Sequence, residues 1–405
     1  MIIRQDYLKK LRLLKDNNHI KVLTGIRRSG KTCLLKMYIR ELINEGVKTE
    51  NIIYISFEDI RYSRVKNDVQ LDEIIIELTR NLSGKIYMFF DEIQNVENWE
   101  RSVNSYNVSF DADIYITGSN STLLSGDLAT LLTGRYVEIH VYPFSYKEVL
   151  QYYSQKKSEG LSKSEEKEIF DYYVEYGGFP GLLYQQEEVI GEHLIGLYNT
   201  ILVNDIFLKN KVSDIDLFER LFQFVADNIG NLFSADSIRL YLKSEHRETS
   251  TPTIINYLNY ATKSFILYKA QREDLIGKRK LKISEKYYLA DSSFYSLLTP
   301  YDKTSRGQIL ENIVYIELLR RGYSVTIGKI KEYEVDFVCR KLKKKIYLQV
   351  SETIMDPKTR EREMKSLEKI KDQYPKFVIT EDTTDYSYNG IQHMNIIDFL
   401  KLEEF

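Results

Sequence analysis

Apolar runs alternate with amphipathic segments along the first third of the chain. Buried strands are predicted by five short apolar runs, at residues 20–24, 51–57, 85–90, 113–117 and 136–141. Apolar positions at helical spacing predict helices between them, including a first helix at residues 5–15 and a short one at residues 125–132. Strands that alternate with helices are typical of an α/β protein with a parallel sheet.

The pattern becomes helical after residue 143. Apolar positions recur at helical spacing between residues 145 and 209 and predict a helical lid subdomain over residues 144–212. A polar stretch at residues 154–168 and the turn Gly177-Gly178-Phe179-Pro180 interrupt it. We interpret the polar stretch as a solvated loop and helix face, with an interaction arm as the alternative.

A winged-helix domain is predicted over residues 213–290. Its helices are expected at residues 217–229, 235–243 and 253–262, and its two strands at residues 265–271 and 281–287. The third helix carries outward-facing polar residues, Thr253, Asn256 and Asn259. The tip of the strand pair carries basic residues, Lys278, Arg279 and Lys280. They indicate DNA contact. A spacer or protein-docking role stays open, because the third helix contains few Arg and Lys residues.

A last α/β domain is predicted over residues 291–405. The apolar pattern indicates helices at residues 306–321 and 358–373 and strands at 323–327, 334–340, 345–350 and 377–380. The chain is therefore expected to fold as four parts, with boundaries at residues 1–143, 144–212, 213–290 and 291–405.

Composition narrows the class of protein. The 405 residues are 43% hydrophobic and 29% charged, as in ordinary globular proteins, and no apolar run is long enough to cross a bilayer. The two cysteines, Cys33 and Cys339, argue against a disulfide framework and a zinc site, so a cytoplasmic location is expected. The net charge of −2 offers no global attraction to nucleic acid, so any such contact needs local basic patches.

A phosphate-binding loop follows the first predicted strand. Residues 25–32 fit the pattern GxxxxGK[ST] in full, with Gly25, Gly30, Lys31 and Thr32 at the defining positions. Such a loop directs backbone N–H groups and a helix N-terminus at phosphates. Lys31 is expected to contact the β/γ oxygens, and Thr32 to contact Mg²⁺. The sequence therefore predicts a protein that binds a nucleoside triphosphate, ATP with Mg²⁺.

Two acidic residues end the third predicted strand. Asp91 and Glu92 follow the apolar run 85–90, which is a Walker B pattern. Asp91 is expected to hold Mg²⁺ through its water shell, and Glu92 to orient the attacking water. Ser119 and Asn120 follow the next strand, where they could sense the γ-phosphate; a plain turn is the competing interpretation.

These motifs in this order resemble bacterial and archaeal AAA-type ATPases that carry a C-terminal domain of unknown function, DUF4143. Residues 132–135, Leu-Thr-Gly-Arg, belong to the resemblance. It implies that Arg135 stabilises charge on the γ-phosphate, within the chain or across a subunit contact. The nucleotide-contacting residues that it implies are Gly25, Arg28, Ser29, Gly30, Lys31, Thr32, Cys33 and Asn120. Cys33 itself is interpreted as a small buried packing residue.

Two further resemblances concern the later segments. The triplet Gly178-Phe179-Pro180 is similar to the GxP motif of STAND signalling ATPases, in which the proline packs on adenine; a helix-breaking turn is the alternative. Arg4 and Tyr7 are similar in placement to residues that flank the base in these families.

The C-terminal part resembles the PD-(D/E)xK nuclease fold, a restriction-endonuclease-like domain. Its acidic positions correspond here to Glu311 and Asp336, with Glu334 nearby. The sequence departs from the pattern at the acidic-x-Lys triplet, where Gln349 and Ser351 stand in place of the acid and the lysine. Without that lysine and carboxylate, we expect the domain to be inactive as a nuclease. A metal ion bound by Glu311, Asp336 and Glu334 is the alternative.

Taken together, the residues and resemblances predict an ATPase that uses nucleotide state to reposition a winged helix and a nuclease-like domain. An ATP-gated DNA-processing nuclease and a protein-docking signalling module with little turnover are the alternatives. DNA, a protein client and a second subunit are the implied partners; a membrane is not.

Overall fold

The structure is a computed structural model that describes residues 2–124, 134–157, 160–277, 279–299 and 305–405. The helix predicted at residues 125–132, together with Thr133 and Lys278, lies outside the described residues. Contacts divide the chain into two compact units. The first comprises Met1–Pro143 and Lys263–Phe265, and the second comprises Phe144–Thr262 and Ile266–Phe405.

The first unit is built on a parallel sheet of five strands. They are β1 (Ile20–Thr24), β2 (Ile52–Ser56), β3 (Ile86–Asp91), β4 (Ala112–Thr117) and β5 (Tyr136–His140). The strand order is β2-β3-β4-β1-β5, and every neighbouring pair is parallel. The predicted parallel α/β sheet is confirmed, and each strand lies within about two residues of its predicted range.

Helices cover both faces of this sheet. They are Gln5–Leu14, Lys31–Asn44, Asp68–Thr79 and Trp99–Ser109. Alternate residues of β3 enter different cores: Met88 packs in the cluster that contains Leu71 and Val103, whereas Phe89 packs in the cluster that contains Leu8 and Leu34. Because successive side chains of a strand point to opposite faces, a strand buried on both faces reads as one continuous apolar run.

The second unit contains a mixed sheet of seven strands. They are β6 (Leu267–Asp274), β7 (Arg279–Leu289), β8 (Ser324–Ile330), β9 (Tyr333–Lys341), β10 (Lys344–Val350), β11 (Lys376–Thr380) and β12 (Ile391–Asn395). The order is β12-β11-β10-β9-β8-β6-β7. The strand β10 is antiparallel to β9 and parallel to β11, and β6 is parallel to β8.

Some helices of the second unit precede this sheet in the chain, and others lie between or after its strands. They are Tyr146–Ser154, Lys163–Tyr176, Pro180–Leu183, Ile190–Thr200, Leu208–Asn210, Ile215–Asp227, Ala235–Ser244, Thr251–Lys263, Ser293–Leu298, Arg306–Arg320, Pro357–Glu368 and Ile396–Lys401, with a π-helix at Ile201–Phe207. Across the described residues, no helix has the length and apolar character that a membrane span requires.

Three details of the second unit differ from the sequence prediction. Arg279 and Lys280 lie in β7, paired with Asp274 and Glu273, rather than at the tip of the strand pair. The strand β12 and the helix Ile396–Lys401 follow the strand that was predicted to be the last. The predicted wing β6–β7 also shares one sheet with the C-terminal strands, because β6 pairs with β8. The four-part domain division and the winged-helix assignment therefore stay predictions.

Candidate functional site

The loop between β1 and the helix Lys31–Asn44 requires glycine at two positions. A Cβ atom on Gly25 would lie 2.1 Å from the carbonyl oxygen of Val141, and Gly25 has a φ of +138°. Gly30 precedes the helix with a φ of +97°, a left-handed conformation that favours glycine. Arg28 is also left-handed, with a φ of +65°, and its side chain is exposed. The loop is therefore held in one tight curve over the helix N-terminus.

Lys31 and Thr32 begin the helix and bind different partners. The Nζ atom of Lys31 donates to the carbonyl oxygens of Gly25 at 2.9 Å and Ile26 at 3.1 Å. It also lies 4.0 Å from Oε1 of Glu92. The hydroxyl of Thr32 donates to the carboxylate of Asp91, 2.9 Å from Oδ2. The two sequence motifs that were predicted to form one site are thus brought together.

Asp91 accepts hydrogen bonds from hydroxyl groups on three further strand residues. Thr117 Oγ1 donates at 2.7 Å, Tyr54 OH at 3.2 Å and Ser56 Oγ at 3.5 Å. Asp91 is buried, and burial, together with the neighbouring Asp91 charge, raises the pKa of Tyr54 above its usual range. The tyrosine hydroxyl therefore remains a donor at neutral pH. Hydroxyl donors of this kind fix the orientation of a carboxylate.

Glu92 is fixed by its backbone as well as by its side chain. It has a φ of +56°, and its backbone N–H donates to Thr117 Oγ1 at 2.8 Å. Its carboxylate accepts a hydrogen bond from Nε2 of Gln94 at 2.5 Å. A Cβ atom on Gly118 would lie 2.8 Å from Oε1 of Gln94, so the carboxamide is pressed against the start of the loop that follows β4. Gln94 belongs to no sequence motif and was not predicted. Thr117 stands at the start of the motif Thr117-Gly118-Ser119-Asn120, but no role was predicted for it.

Ser119 and Asn120 follow β4 and are both buried. The backbone N–H of Gly118 donates to the carbonyl oxygen of Leu23 in β1, so the start of this loop lies beside the end of the strand that leads into the phosphate-binding loop. Ligands of α/β proteins bind at this carboxyl edge of the sheet. The predicted γ-phosphate contacts of these two residues stay predictions.

Arg135 lies at the other edge of the sheet. It precedes β5, and its carbonyl oxygen accepts a hydrogen bond from Ile20, the first residue of β1. The guanidinium donates to Asn104 Oδ1 at 2.9 Å and is exposed. Since β1 has 5 residues, a strand length of roughly 16 Å separates Arg135 from the phosphate-binding loop. The predicted contact of Arg135 with the γ-phosphate, within the chain or across a subunit contact, stays a prediction.

Arg4 holds the phosphate-binding loop from within the first unit. Its guanidinium is buried and donates to the carbonyl oxygens of Ser29 at 2.9 Å and Tyr142 at 3.0 Å. It also lies 4.4 Å from the centre of the Tyr7 ring, whose hydroxyl accepts the N–H of Tyr142. Arg4 and Tyr7 were predicted to lie beside a nucleotide base. In this structure they support the loop backbone, and a position beside the base stays a prediction.

The remaining predicted residues are placed as follows. Cys33 is exposed, so its interpretation as a buried packing residue is wrong; it lies in the first turn of the helix, on the side away from the core. Pro180 lies in the second unit as the first residue of the helix Pro180–Leu183. The preceding Gly177 and Gly178 pack against Asp291, which accepts the N–H of Gly178 at 2.8 Å. Burial raises the pKa of Asp291 to about 6.

The C-terminal acidic residues converge on Lys286, which lies in β7. Glu311, Glu334 and Asp336 all lie within 4.0 Å of Nζ of Lys286. Gln349 accepts the backbone N–H of Asp336 at 3.3 Å. No sequence pattern marks Lys286, because it lies on β7 of the strand pair and far from the acidic residues in the chain.

The first unit accommodates the chemistry of a nucleotide and Mg²⁺. The Ser29 hydroxyl in the loop is buried and has no hydrogen-bond partner among the described residues, as expected of a group that a phosphate could satisfy. Lys31 supplies positive charge, and Thr32 and Asp91 supply the hard oxygen atoms that Mg²⁺ prefers. The parallel sheet, the loop and the acidic pair define a P-loop NTPase fold of the AAA type.

Comparisons with known proteins agree with this class. Residues 17–150 match the family model of an AAA domain. The chain belongs to the same family as an uncharacterized protein of Haemophilus influenzae, with 40% identity over 401 residues that span 99% of this chain and 98% of that protein. Uncharacterized protein MJ1544 of Methanocaldococcus jannaschii is 32% identical over 364 residues, which span 88% and 79% of the two chains.

A solved structure shows the same fold. The Walker-type ATPase PABY2304 of Pyrococcus abyssi superposes with a TM-score of 0.53 over 74% of this chain and 96% of that chain, at 18% sequence identity. Residues 167–305 match a second family model, the domain of unknown function DUF8612. The predicted DUF4143 assignment is therefore wrong. It was inferred from the ATPase motifs, and those motifs do not determine which domain follows them.

Proposed function

We propose that the first unit binds ATP with Mg²⁺ at the loop of residues 25–32 and hydrolyses the ATP. The observation that supports this most is the convergence of Lys31, Thr32, Asp91 and Glu92 at the carboxyl edge of one parallel sheet. When bound, Mg²⁺ neutralises phosphate charge. Thr32 and Asp91 are the residues that would hold it, and Lys31 would bind the terminal phosphates.

Glu92 is the proposed catalytic residue that orients the attacking water. It is buried and lies next to the Mg²⁺-binding acid, where it can accept a proton. The proposed phosphate sensors Ser119 and Asn120 lie on the adjoining loop, and Arg135 would act from a neighbouring subunit. A phosphate-release assay on the purified chain tests hydrolysis: release should require both ATP and Mg²⁺, and its absence at saturating ATP would favour the docking module with little turnover.

Gln94 is the proposed positioning residue for Glu92. Gln94→Leu removes the N–H that the Glu92 carboxylate accepts. Because a hydrogen bond to a charged group contributes about 1.5–3 kcal/mol, kcat should fall by about tenfold or more, while the KM for ATP changes little. Steady-state kinetics measure both values. The matched control is Asn95→Leu on the exposed neighbour, which should leave kcat unchanged; an unaltered or raised kcat in Gln94→Leu would contradict the role.

We also propose that nucleotide state acts on the second unit and that the second unit contacts DNA. The supporting observation is the order of elements, in which three helices, Ile215–Asp227, Ala235–Ser244 and Thr251–Lys263, precede the strand pair β6–β7. Asn256 and Asn259 are exposed on the third helix, as predicted. Thr253 is instead half-buried, and its N–H donates to Ser250 Oγ at the start of that helix.

Neutralising the predicted wing tests the DNA proposal. The triple variant Lys278→Gln, Arg279→Gln, Lys280→Gln should weaken binding to duplex DNA. It should also lower the magnitude of the slope of log affinity against log salt by about 0.9 for each phosphate that the variant no longer neutralises. Fluorescence anisotropy at several salt concentrations measures both quantities.

The matched control for the wing removes the same charge elsewhere on the second unit. Lys331, Lys343 and Lys344 are exposed, and their replacement by Gln should leave the slope unchanged. Equal slopes for the wing variant and the wild type would show that the wing does not contact DNA phosphates, and would favour a spacer or protein-docking module.

A further inference from the structure

Lys286 is a buried cation in the nuclease-like part of the second unit. Its side chain is only 3% exposed. The Nζ atom lies 3.0 Å from Oε1 of Glu311, 2.9 Å from Oε1 of Glu334 and 3.8 Å from Oδ1 of Asp336. Lysine is rarely buried to this extent unless it is paired, and here three carboxylates from two different elements surround it. We call Lys286 and these three residues the Lys286 centre.

The charges of the centre depend on one another. Burial alone would lower the pKa of Lys286, but Glu311, Asp336 and Glu334 outweigh it, so the pKa lies above the usual range. Burial, and next the charge of Glu311, raises the pKa of Asp336 well above its usual value. The three acids thus favour the charged form of Lys286. The ammonium is the positive charge that makes this group of acids stable in the interior.

Protein groups other than Lys286 also contact two of these acids, Glu311 and Asp336. Tyr288 OH donates to Oε1 of Glu311 at 2.7 Å, and the backbone N–H of Val350 donates to Oδ2 of Asp336 at 2.9 Å. A Cβ atom on Gly230 would lie 3.0 Å from Oε2 of Glu311, so the chain also closes over that carboxylate. These contacts fix the acids at the spacing that an ammonium group requires.

Gln349 replaces the remaining acidic residue of the nuclease pattern. It stands where the nuclease pattern has a carboxylate, and its Nε2 donates to Glu363 Oε2 at 2.9 Å. Its amide is therefore bound within the fold. A divalent cation needs oxygen atoms at about 2.0–2.6 Å, whereas two carboxylate oxygens of the centre lie at 2.9 and 3.0 Å from Nζ. With Lys286 among them, Glu311, Glu334 and Asp336 do not form a group suited to a metal ion, and the described residues contain no other such group of three His, Cys, Asp or Glu side chains.

We propose that Lys286 is the resident cation of this centre and that its ammonium group excludes a divalent ion from it. The centre then joins β7, β9 and the helix Arg306–Arg320 without a metal. It also lacks a metal-bound water that could attack a phosphodiester. Removing the ammonium should turn the three carboxylates into a divalent cation site, because their mutual repulsion then needs another positive charge.

Mn²⁺ binding to the full chain without nucleotide tests this proposal, with electron paramagnetic resonance measuring the free ion. Wild type and Asp336→Asn should bind equal numbers of ions. Lys286→Met should bind one more ion per chain, and the double variant Lys286→Met, Asp336→Asn should lose that ion again. Mn²⁺ should also raise the unfolding temperature of Lys286→Met by more than it raises that of wild type.

The matched control is Lys21→Met. Lys21 is fully buried like Lys286, but it pairs with one carboxylate, that of Asp113, so its removal should not create an ion site. The proposal fails if Asp336→Asn binds fewer ions than wild type, or if folded Lys286→Met gains none. The comparison of Asp336→Asn with wild type tests the proposal even if Lys286→Met does not fold. Cleavage of plasmid DNA by wild type with Mg²⁺ or Mn²⁺, abolished by Asp336→Ala, would also overturn it.

Discussion

Lys31→Ala should lower the affinity of the chain for ATP with Mg²⁺ by about 100-fold or more. The ammonium of Lys31 lies inside the loop, where it can form charge-assisted hydrogen bonds with the terminal phosphates. Since each such bond contributes about 1.5–3 kcal/mol and about 1.4 kcal/mol is a factor of ten, two bonds account for this loss. Titration of a fluorescent ATP analogue into wild type and variant measures the two affinities.

Arg40→Ala is the matched control for Lys31→Ala. Arg40 lies on the same helix and carries the same charge, but its side chain is exposed and lies outside the loop. It should bind ATP as wild type does. If both variants lose a similar, small factor, the lysine acts only through general electrostatics, and the proposed phosphate contact is wrong. Equal unfolding temperatures of wild type and Lys31→Ala would show that the loss is not caused by unfolding.

Glu92→Gln should retain ATP binding and lose turnover. The amide keeps the size of the side chain but cannot accept a proton from water, and a positioned base typically contributes about 100-fold to 10,000-fold to the rate. Binding should persist, because Lys31, Thr32 and Asp91 are unchanged. Single-turnover hydrolysis and nucleotide titration on the same preparation separate the two effects.

Glu97→Gln is the matched control for Glu92→Gln. Glu97 follows in the same segment, and its side chain is exposed, so turnover should be unaffected. If Glu92→Gln hydrolyses ATP as fast as wild type, Glu92 is not the residue that orients water. If neither wild type nor Glu92→Gln hydrolyses ATP measurably, the chain is instead a nucleotide-binding module with little catalysis.

The sheet of the first unit and its motif residues were predictable because their signals are local. Strands buried on both faces appear as continuous apolar runs, and the loop and the acidic pair lie at strand ends that are adjacent in a parallel sheet. The position of Arg135 also follows from the sequence. It precedes a parallel strand, so it lies at the edge opposite the residues that follow the strands.

The contacts that support the site could not be predicted, because they join residues that are distant in the chain. Arg4 reaches Tyr142, and Lys286 reaches Glu334, without a local pattern that marks either pair. The pairing of β6 with β8 is equally non-local. It places the predicted wing and the C-terminal strands in one sheet. The sequence prediction had assigned them to two domains, with a boundary at residue 290.

The central claim is that the loop, Lys31, Thr32 and Asp91 form a site for ATP with Mg²⁺. Isothermal titration calorimetry of the purified chain with ATP, in the presence and absence of Mg²⁺, tests it most directly. The account predicts saturable heat with one ATP per chain, tighter binding with Mg²⁺, and no such heat for Lys31→Ala. The absence of saturable heat from the folded wild-type chain with ATP and Mg²⁺ would contradict it.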